Sequence, residues 1–490
     1  MSVLDLINNN NNKQSKKTNK WVLPVKVLPM NASQEQALKE VEKNTLTTII
    51  GAAGSGKSSV ITAIASHFIM TGRNVLIVSK SDHAVDVVCN KLNNLGAGLI
   101  AMRGGKMSSQ LELANHIMDL LEGKIDVSLT NTEKSNIIKY LFNRTEEEAI
   151  KLLKTKRNEL LIELLSNYDN RKNLLIQAKS ALTKRKSQRD KIMQTIDFKP
   201  ILKAIPCFCI TTAEISDVLP LEKDLFSIVI ADESSEMDIA SFLPCAYRAE
   251  KACVVGDDKQ LKSLLFMEQK KNKSFLTKHE VPADLQLVWD YAKNSLFDFC
   301  QYYTEKCIML NEQYRMPSNV FKFNNDMFYS SQIKSAKQTD TNALKKVFIG
   351  GKTDTNKTCN FEECEAIIKK VKEWLKENKD NNKTIAILSM FKAQVDLISK
   401  VIYEVIPYGE IEKHNISVVT ANSAQGMEFS TCLISWVIDN ECKHQSLTFA
   451  CNPERLNVIT SRCQEQVINF YSKNNMGDCL LNKYLSSIPE

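Results

Sequence analysis

The sequence predicts an α/β protein built on parallel sheets, and two observations carry this prediction. Short apolar runs rich in β-branched residues alternate with helical stretches through most of the 490 residues, which is the pattern of βαβ units. A glycine-rich segment at residues 51–58 follows one of these runs and precedes a helical stretch. The chain is roughly three times as long as a typical domain, so we expect two to four domains. The predicted strands are residues 47–50, 75–78, 228–231, 252–255, 385–388, 416–419 and 431–436.

The composition excludes several classes of protein. With 43% hydrophobic and 25% charged residues, the chain resembles proteins that bury large cores. No run of about 18 apolar residues predicts a membrane-spanning helix, and the Asn- and Lys-rich N-terminus lacks the apolar stretch of a secretion signal. The 14 cysteines are scattered without repeated C-x-x-C pairs, so we expect reduced thiols and no zinc or iron–sulfur cluster. These features predict an intracellular, cytoplasmic protein, with a nuclear location left open, and no membrane partner.

The basic charge is concentrated in two segments. The net charge is +7, from 64 basic and 57 acidic residues. Residues 1–30 contain five Lys against a single Asp and include a run of Asn, which predicts a disordered basic tail. Residues 131–200 contain 16 basic and 9 acidic residues, an excess of +7, so the chain outside these two segments sums to −4.

A long helical insertion is predicted around the second basic segment. Residues 124–199 contain neither Gly nor Pro, their apolar residues have helical spacing, and residues 167–170 resemble a turn. We expect two antiparallel, coiled-coil-like helices at about residues 110–200 that project as an arm. Two roles stay open at this point: the arm contacts nucleic acid or a protein partner, or the two helices pack on the core.

The segment at residues 51–58, Gly-Ala-Ala-Gly-Ser-Gly-Lys-Ser, fits the phosphate-binding pattern G-x-x-x-x-G-K-[ST]. Its glycines let backbone N–H groups turn toward a phosphate at the start of a helix. We expect Lys57 to bridge the β- and γ-phosphates of a nucleotide and Ser58 to ligate Mg²⁺. The predicted nucleotide-binding residues here are Gly51, Gly54, Ser55, Gly56, Lys57, Ser58 and Ser59.

Two later strands end in residues that complete this chemistry. Asp232 follows the strand at residues 228–231 and is placed to hold the Mg²⁺ shell, and Glu233 is the candidate base for the attacking water. The strand at residues 252–255 leads into Gln260, which is placed to sense the γ-phosphate. An Asp-Glu pair after apolar residues is common, but together with the P-loop it indicates a nucleotide hydrolase.

These motifs, in this order, resemble those of the superfamily 1B helicases, and further blocks agree. Residues 310–317 read Leu-Asn-Glu-Gln-Tyr-Arg-Met-Pro and match the family's Q-Y-R-M block. Residues 420–428 match T-x-x-S-x-Q-G-x-E, and residues 455–463 resemble R-x-N-V-x-x-T-R-A. Residues 31–34, Asn-Ala-Ser-Gln, resemble the adenine-reading Q motif. The resemblance runs from about residue 30 to about residue 470, apart from the helical insertion.

The resemblance implies ATP as the nucleotide and a role for each matching residue. Gln34 would hydrogen-bond the adenine edge, Tyr314 would stack on its face, and Glu428 would bind the ribose hydroxyls. Arg315 and Arg462 would act as arginine fingers, which stabilise charge on the transferred phosphoryl group. The predicted catalytic residues are thus Lys57, Asp232, Glu233, Gln260, Arg315 and Arg462.

The resemblance also implies an architecture and an activity. Two tandem RecA-like domains, at about residues 31–290 and 291–490, would close around ATP. Cycles of closing and opening would move the protein 5′→3′ along single-stranded DNA or RNA as a helicase or translocase. Ser81 and Thr420 would contact phosphates, which carry no base identity, so DNA and RNA stay equally open. The alternative is an ATP-switched nucleic-acid-binding or protein-displacing module that acts with a partner nuclease or a replication or defence complex, without productive unwinding.

Overall fold

The computed structural model describes residues 28–96, 98–105, 107–127, 146–183, 188, 191–192, 195–262, 267–354 and 358–489. Most of the predicted N-terminal tail and parts of the predicted helical insertion lie outside these residues. Contacts between Cα atoms divide the chain into two compact units. The second unit contains the described residues from Leu310 onwards and two short segments, Ala52–Gly56 and Lys259–Leu261, and the first contains the others.

A seven-stranded parallel sheet forms the centre of the first unit. Its strands are β1 (Leu46–Ile50), β2 (Val75–Ser79), β3 (Ala101–Arg103), β4 (Cys207–Thr211), β5 (Phe226–Ala231), β6 (Ala249–Gly256) and β7 (Ile308–Met309). Their order across the sheet is β3-β4-β2-β5-β6-β1-β7. β2 and β4 are buried at every position, as expected for inner strands of a parallel sheet covered by helices. The predicted α/β class with parallel sheets is confirmed.

Most of the helices of the first unit contribute to one apolar core with the strands of this sheet. They are α1 (Ala32–Lys43), α2 (Lys57–Met70), α3 (Asp82–Asn93), α4 (Met107–Leu121), α5 (Glu146–Ser166), α6 (Tyr168–Leu182), α7 (Phe198–Ala204), α8 (Ile215–Val218), α9 (Ile239–Tyr247), α10 (Gln269–Lys278), α11 (Ala283–Gln286) and α12 (Leu296–Tyr303). α2 is buried at every position from Val60 to Met70, so the helix that follows the P-loop is rigidly enclosed.

The helical insertion packs on the core, so the expectation of a projecting arm is wrong for its described part. The predicted turn is present: Asn167 lies between α5 and α6 and its side chain accepts a hydrogen bond from the Asn170 N–H (3.1 Å). Leu161 of α5 and Leu174 of α6 are fully buried and belong to the core of the first unit. Burying one such side chain contributes about 1.5–3 kcal/mol, which favours packing over projection.

The second unit contains a five-stranded parallel sheet in the order β10-β16-β15-β13-β14 and two short strand pairs. The strands are β8 (Glu312–Gln313), β9 (Lys334–Ser335), β10 (Leu344–Phe348), β11 (Thr353–Asp354), β12 (Cys359–Asn360), β13 (Ile385–Ser389), β14 (Ser417–Thr420), β15 (Phe429–Ser435) and β16 (Cys463–Tyr471). The helices are α13 (Ser318–Phe328), α14 (Phe361–Glu377), α15 (Lys392–Val405), α16 (Tyr408–Lys413), α17 (His444–Ala450), α18 (Pro453–Thr460) and α19 (Leu480–Ser487). Apolar residues of α14 and α15 pack on the sheet in a separate core.

Within the described ranges, no helix combines the length and the apolar character needed to cross a membrane. The same residues contain no group of three or more His, Cys, Asp or Glu side chains arranged to hold a metal ion. The cysteines are free thiols, most of them buried.

Candidate nucleotide site

The P-loop connects β1, an inner strand of the first unit's sheet, to α2. β1 lies between β6 and β7, and the Gly51 N–H donates to the Gly256 carbonyl at the end of β6 (2.9 Å). Gly54 and Gly56 have φ angles of +76° and +83°, a left-handed conformation that glycine adopts without strain. Because α2 begins at Lys57, its first N–H groups lack helical acceptors and lie next to this loop. The loop and helix therefore form an anion-binding helix N-terminus.

The Lys57 ammonium joins the P-loop to the residues after β5. Its Nζ donates to the Gly51 carbonyl (3.1 Å) and lies 3.6 Å from Oε1 of Glu233. The two charged side chains are only 11% and 13% exposed, so their attraction is weakly screened. A phosphate bound at the loop would compete with Glu233 for the Lys57 ammonium, because both carry negative charge.

Asp232 and Glu233 follow β5 in a strained turn. The buried Asp232 donates its N–H to the Val78 carbonyl (2.9 Å), and its Oδ1 accepts the Glu233 N–H (2.9 Å). Glu233 has φ +50° and ψ +43°, a left-handed conformation that costs a non-glycine residue about 1 kcal/mol. Burial raises the pKa of Asp232, the negative charge of Glu233 raises it further, and Lys57 acts in the opposite direction.

The donor set of this cluster fits Mg²⁺, which prefers carboxylate, hydroxyl and phosphate oxygens. Ser58 lies in the first turn of α2, and Asp232 supplies a buried carboxylate. Oε2 of Glu233 is buried and has no hydrogen-bond partner in the described part of the chain. A divalent cation would favour the ionised form of Asp232, which burial disfavours. Mg²⁺ held by Ser58 and Asp232 would therefore offset part of the negative charge of the two carboxylates.

The end of β6 is fixed against the turn that carries Glu233. The Ser234 hydroxyl donates to the Val255 carbonyl (2.7 Å). A Cβ atom on Gly256 would lie 2.7 Å from Ser234 Oγ and 2.8 Å from Phe297, so only glycine fits there. Further along this segment Gln260 is buried. The role of Ser234 was not predicted, because nothing in a local Asp-Glu-Ser-Ser sequence shows which strand the serine contacts.

The structure uses Gln34 as part of a helix cap. The Asn31 side chain accepts the Gln34 N–H (2.9 Å), and Oε1 of Gln34 accepts the Asn31 N–H (3.1 Å), which is a reciprocal capping box at the start of α1. This cap fixes the orientation of the Gln34 side chain. Its contact with adenine stays a prediction.

Two predicted arginines of the second unit meet at Ser461. Arg315 donates from Nη1 to the Ser461 carbonyl (3.2 Å), and its Nε forms an ion pair with Oε2 of Glu428 (2.9 Å). The buried Arg462 donates from Nη2 to Ser461 Oγ (2.9 Å) and from Nε to the Val458 carbonyl (2.9 Å). The pairing of Glu428 with Arg315, and the contact of both arginines with Ser461, were not predicted, because they join residues distant in the sequence.

The remaining predicted residues lie at turns or on the surface. Ser81 caps α3, where its Oγ accepts the Ala84 N–H (3.5 Å). Thr420 ends β14 and its Oγ1 accepts the Ser423 N–H (3.3 Å). Tyr314 is 42% exposed and donates its hydroxyl to Oε2 of the nearby Glu312 (2.7 Å). Their contacts with nucleic acid and adenine stay predictions.

A P-loop after the inner parallel strand β1, with an acidic pair after β5, two strands away in the same sheet, defines an α/β P-loop nucleotide hydrolase. Two family models described as "AAA domain" match residues 29–268 and 292–473. Together with the relatives described next, these matches confirm the family identified from the motifs: the chain belongs to the superfamily 1B helicases.

Curated relatives match nearly the whole chain at low identity. It is 24% identical over 460 residues to a Neurospora crassa protein named "Regulator of nonsense transcripts 1 homolog", covering 89% of this chain and 36% of that one. It is 23% identical over 510 residues to "Helicase sen1" of Schizosaccharomyces pombe, covering 90% and 29%. It is 23% identical over 504 residues to the Saccharomyces cerevisiae "DNA polymerase alpha-associated DNA helicase A", covering 94% and 67%. The chain thus spans about a third of the length of the first two relatives.

A solved structure was also matched. The crystal structure of arterivirus nonstructural protein 10, a helicase, aligns with 90% of this chain and 61% of that one, at 11% identity and a TM-score of 0.39.

Proposed function

We propose that the chain is an ATP-dependent helicase or translocase that couples ATP hydrolysis to 5′→3′ movement along single-stranded DNA or RNA. The observation that supports this most is the cluster of Lys57, Asp232 and Glu233. In this cluster an ammonium and two carboxylates lie beside one helix N-terminus, and the proposal gives them the roles of phosphate-binding cation, metal ligand and base.

In the proposed mechanism, Ser58 and Asp232 would hold Mg²⁺, which would supply positive charge to neutralise the phosphate oxygens. Lys57 leaves Glu233 and pairs with the β- and γ-phosphates. The released Glu233 carboxylate then accepts a proton from the attacking water. Gln260, buried after the neighbouring strand, senses the γ-phosphate. The Lys57–Glu233 ion pair therefore exchanges for a Lys57–phosphate pair when ATP binds.

A second exchange is proposed for the second unit. Glu428 leaves Arg315 and accepts hydrogen bonds from the ribose hydroxyls, while Arg315 and Arg462 stabilise charge on the transferred phosphoryl group. Ser461, which binds both guanidinium groups, holds them in place. Gln34 and Tyr314 contact the adenine.

The strand is proposed to bind through its phosphates, with Ser81 and Thr420 among the contacts, so binding is independent of sequence and sensitive to salt. Such binding would let hydrolysis move the protein along any single strand. The arterivirus helicase has also been solved in complex with DNA, which is a finding about that protein.

The activity is tested with partial duplexes that carry either a 5′ or a 3′ single-stranded overhang, each with and without a bound protein roadblock. The proposal expects ATP-dependent strand separation from the 5′ overhang and none from the 3′ overhang. Displacement of the roadblock without strand separation would favour the protein-displacing alternative. Separation from the 3′ overhang alone would contradict the proposed polarity.

A further inference from the structure

α10 concentrates positive charge on one short helix of the first unit. Lys270, Lys271, Lys273 and Lys278 are exposed, and the helix contains no acidic residue. Its buried residue, Asn272, donates from Nδ2 to Oδ1 of Asp290 (2.8 Å). At 3.6 residues per turn, the four lysines lie about 100° or more around the helix from Asn272. They therefore form a basic face directed away from the anchored side, which we call the α10 lysine face.

Three of these lysines occupy positions that are unfavourable for the helix, whereas Lys278 lies in the last turn, where the helix dipole favours positive charge. Lys270 and Lys271 lie in the first turn, which contains no acidic residue and where the helix dipole favours negative charge. Lys270 and Lys273 are three residues apart, a spacing at which like charges repel. A basic face that destabilises its own helix indicates a function other than folding.

The α10 lysine face also differs from other charged helices of the chain. Lys370 pairs with Glu373 on α14 (3.2 Å), and Lys392 pairs with Asp396 on α15 (2.7 Å). By contrast, α10 contains no carboxylate that could pair with its four lysines, and none elsewhere in the described ranges forms an ion pair with them. An external anion is therefore the partner that this face would attract.

An exposed aromatic ring narrows the identity of that anion. Phe275 is 42% exposed and lies four residues after Lys271 and three before Lys278, the spacings of neighbours on a helix surface. Lysines that attract phosphates beside a ring on which a base can stack form the usual surface for single-stranded nucleic acid. A duplex offers phosphates but keeps its base faces stacked inside.

We propose that the α10 lysine face binds the phosphates of single-stranded nucleic acid and that Phe275 stacks on an unpaired base. This inference rests on the proposed function. It adds a contact beyond Ser81 and Thr420, on the helix that follows the segment containing Gln260.

The test compares the triple variant Lys270→Gln/Lys271→Gln/Lys278→Gln with the control Lys369→Gln/Lys372→Gln/Lys376→Gln, which removes three exposed lysines of α14. Affinity for a fluorescent single-stranded oligonucleotide is measured by anisotropy across a salt series. We expect the α10 variant to reduce the slope of log affinity against log salt by about 2, at about 0.7 per lost phosphate contact. The control should keep the wild-type slope, and equal slopes for the two variants would overturn the proposal.

The stacking contact has its own variant. Phe275→Ala should weaken binding to a single strand by about tenfold without changing the salt slope. Tyr403→Ala, which removes a ring that is 67% exposed on α15, should leave binding unchanged. A blunt duplex should bind Phe275→Ala and wild type equally, and an equal loss on the duplex would overturn the stacking assignment.

Further measurements distinguish a failure of this inference from a failure of the proposed function. Thermal unfolding should show the α10 variant about as stable as wild type, because removing two cations from the first turn and one from the last turn has opposite effects on the interaction with the helix dipole. Hydrolysis without nucleic acid should be unchanged. If wild type binds no single strand, the proposed function fails together with this inference. If wild type binds with a steep salt slope that the α10 variant keeps, only this inference fails.

Discussion

Two cations, Lys57 in the first unit and Arg315 in the second, are each held by a carboxylate that has its own predicted role. Lys57 Nζ lies 3.6 Å from Glu233, and Arg315 Nε lies 2.9 Å from Glu428. Each pairing keeps a reactive group neutralised until phosphate or ribose competes for one partner. On this account ATP binding consists largely of the exchange of two ion pairs.

The first exchange is tested with Glu233→Gln. The substitution removes the base and should lower the rate of ATP hydrolysis by about 10²-fold or more. It also frees Lys57 from its carboxylate, so affinity for ATP should be kept or increased. Steady-state hydrolysis and titration of a fluorescent nucleotide measure the two effects. Glu250→Gln, an exposed carboxylate on β6, is the control, and a parallel loss of ATP binding in Glu233→Gln would contradict the exchange.

Ser461 is a positioning residue for both arginines. Ser461→Ala removes the hydroxyl that accepts from Arg462 but keeps the carbonyl that accepts from Arg315. Loss of a hydrogen bond to a charged group costs about 1.5–3 kcal/mol, so kcat should fall by about tenfold or more while KM for ATP changes little. Ser461→Thr retains the hydroxyl and should restore kcat. A kcat for Ser461→Ala equal to that of wild type, or no rescue by Ser461→Thr, would show that Ser461 does not position the arginines.

At the scale of elements, the helical insertion contributes to the stability of the first unit. Leu161 of α5 is fully buried in the core, whereas its neighbour Ile162 is 39% exposed. Leu161→Ala should lower the free energy of unfolding by about 2–5 kcal/mol. Ile162→Ala should lower it by about 1 kcal/mol or less. Urea unfolding of the two variants measures the difference. Equal, small losses in the free energy of unfolding would favour the expectation that the insertion projects as an arm.

A second element, α14, carries the buried Glu363. Burial raises the pKa of this carboxyl to about 7, although hydrogen bonds from Ser435, Ser472 and the Val437 N–H favour its charged form. Because the folded-state pKa lies above the unfolded-state value, folding binds a proton. The stability from Glu363 is therefore complete below about pH 4.5 and is lost as the pH rises through about 7.

Glu363→Gln tests this linkage, because the amide keeps an acceptor for Val437 and cannot ionise. Between pH 4.5 and 7.5, wild type should lose about 3 kcal/mol of its free energy of unfolding relative to the variant. Urea unfolding across this range measures it. Parallel stability curves for the two proteins would show that Glu363 has an ordinary pKa.

Local motifs explain which parts of the site could be predicted from sequence. The P-loop, with Gly54, Gly56 and Lys57, is a continuous segment whose geometry depends on its own residues, and Asp232 is recognised by the apolar strand before it. The Arg315–Glu428 pair and the convergence on Ser461 depend on packing between distant segments. No local pattern shows those contacts.

The fold shows the same limit. Apolar runs predicted four strands of the first sheet and three of the second, because inner parallel strands are apolar at consecutive positions. The other five strands, β3, β4, β7, β10 and β16, were not predicted. Helical spacing predicted α5 and α6 and the turn at Asn167, but spacing does not show what covers an apolar stripe. The α10 lysine face was not predicted, because α10 lies outside the two segments with the largest basic excess. Its lack of carboxylate partners is visible only in three dimensions.

At the scale of the whole molecule, the proposed helicase or translocase mechanism requires that a bound strand and the nucleotide site influence each other. For binding, such coupling is reciprocal: a strand that strengthens ATP binding must itself bind more tightly when ATP is bound. Neither unit alone contains all the predicted catalytic residues, since Lys57, Asp232 and Glu233 lie in the first and Arg315 and Arg462 in the second. Nucleic acid should therefore act on the rate of hydrolysis.

The most direct measurement of this claim is the rate of ATP hydrolysis with and without saturating single-stranded DNA or RNA of matched sequence, with strand binding confirmed in the same samples. We expect at least one of the two polymers to raise the rate of ATP hydrolysis by about fivefold or more. We also expect Lys57→Ala to abolish both the basal and the stimulated rate. An unchanged rate while wild type is saturated with either strand, or full hydrolysis by Lys57→Ala, would contradict the proposed mechanism.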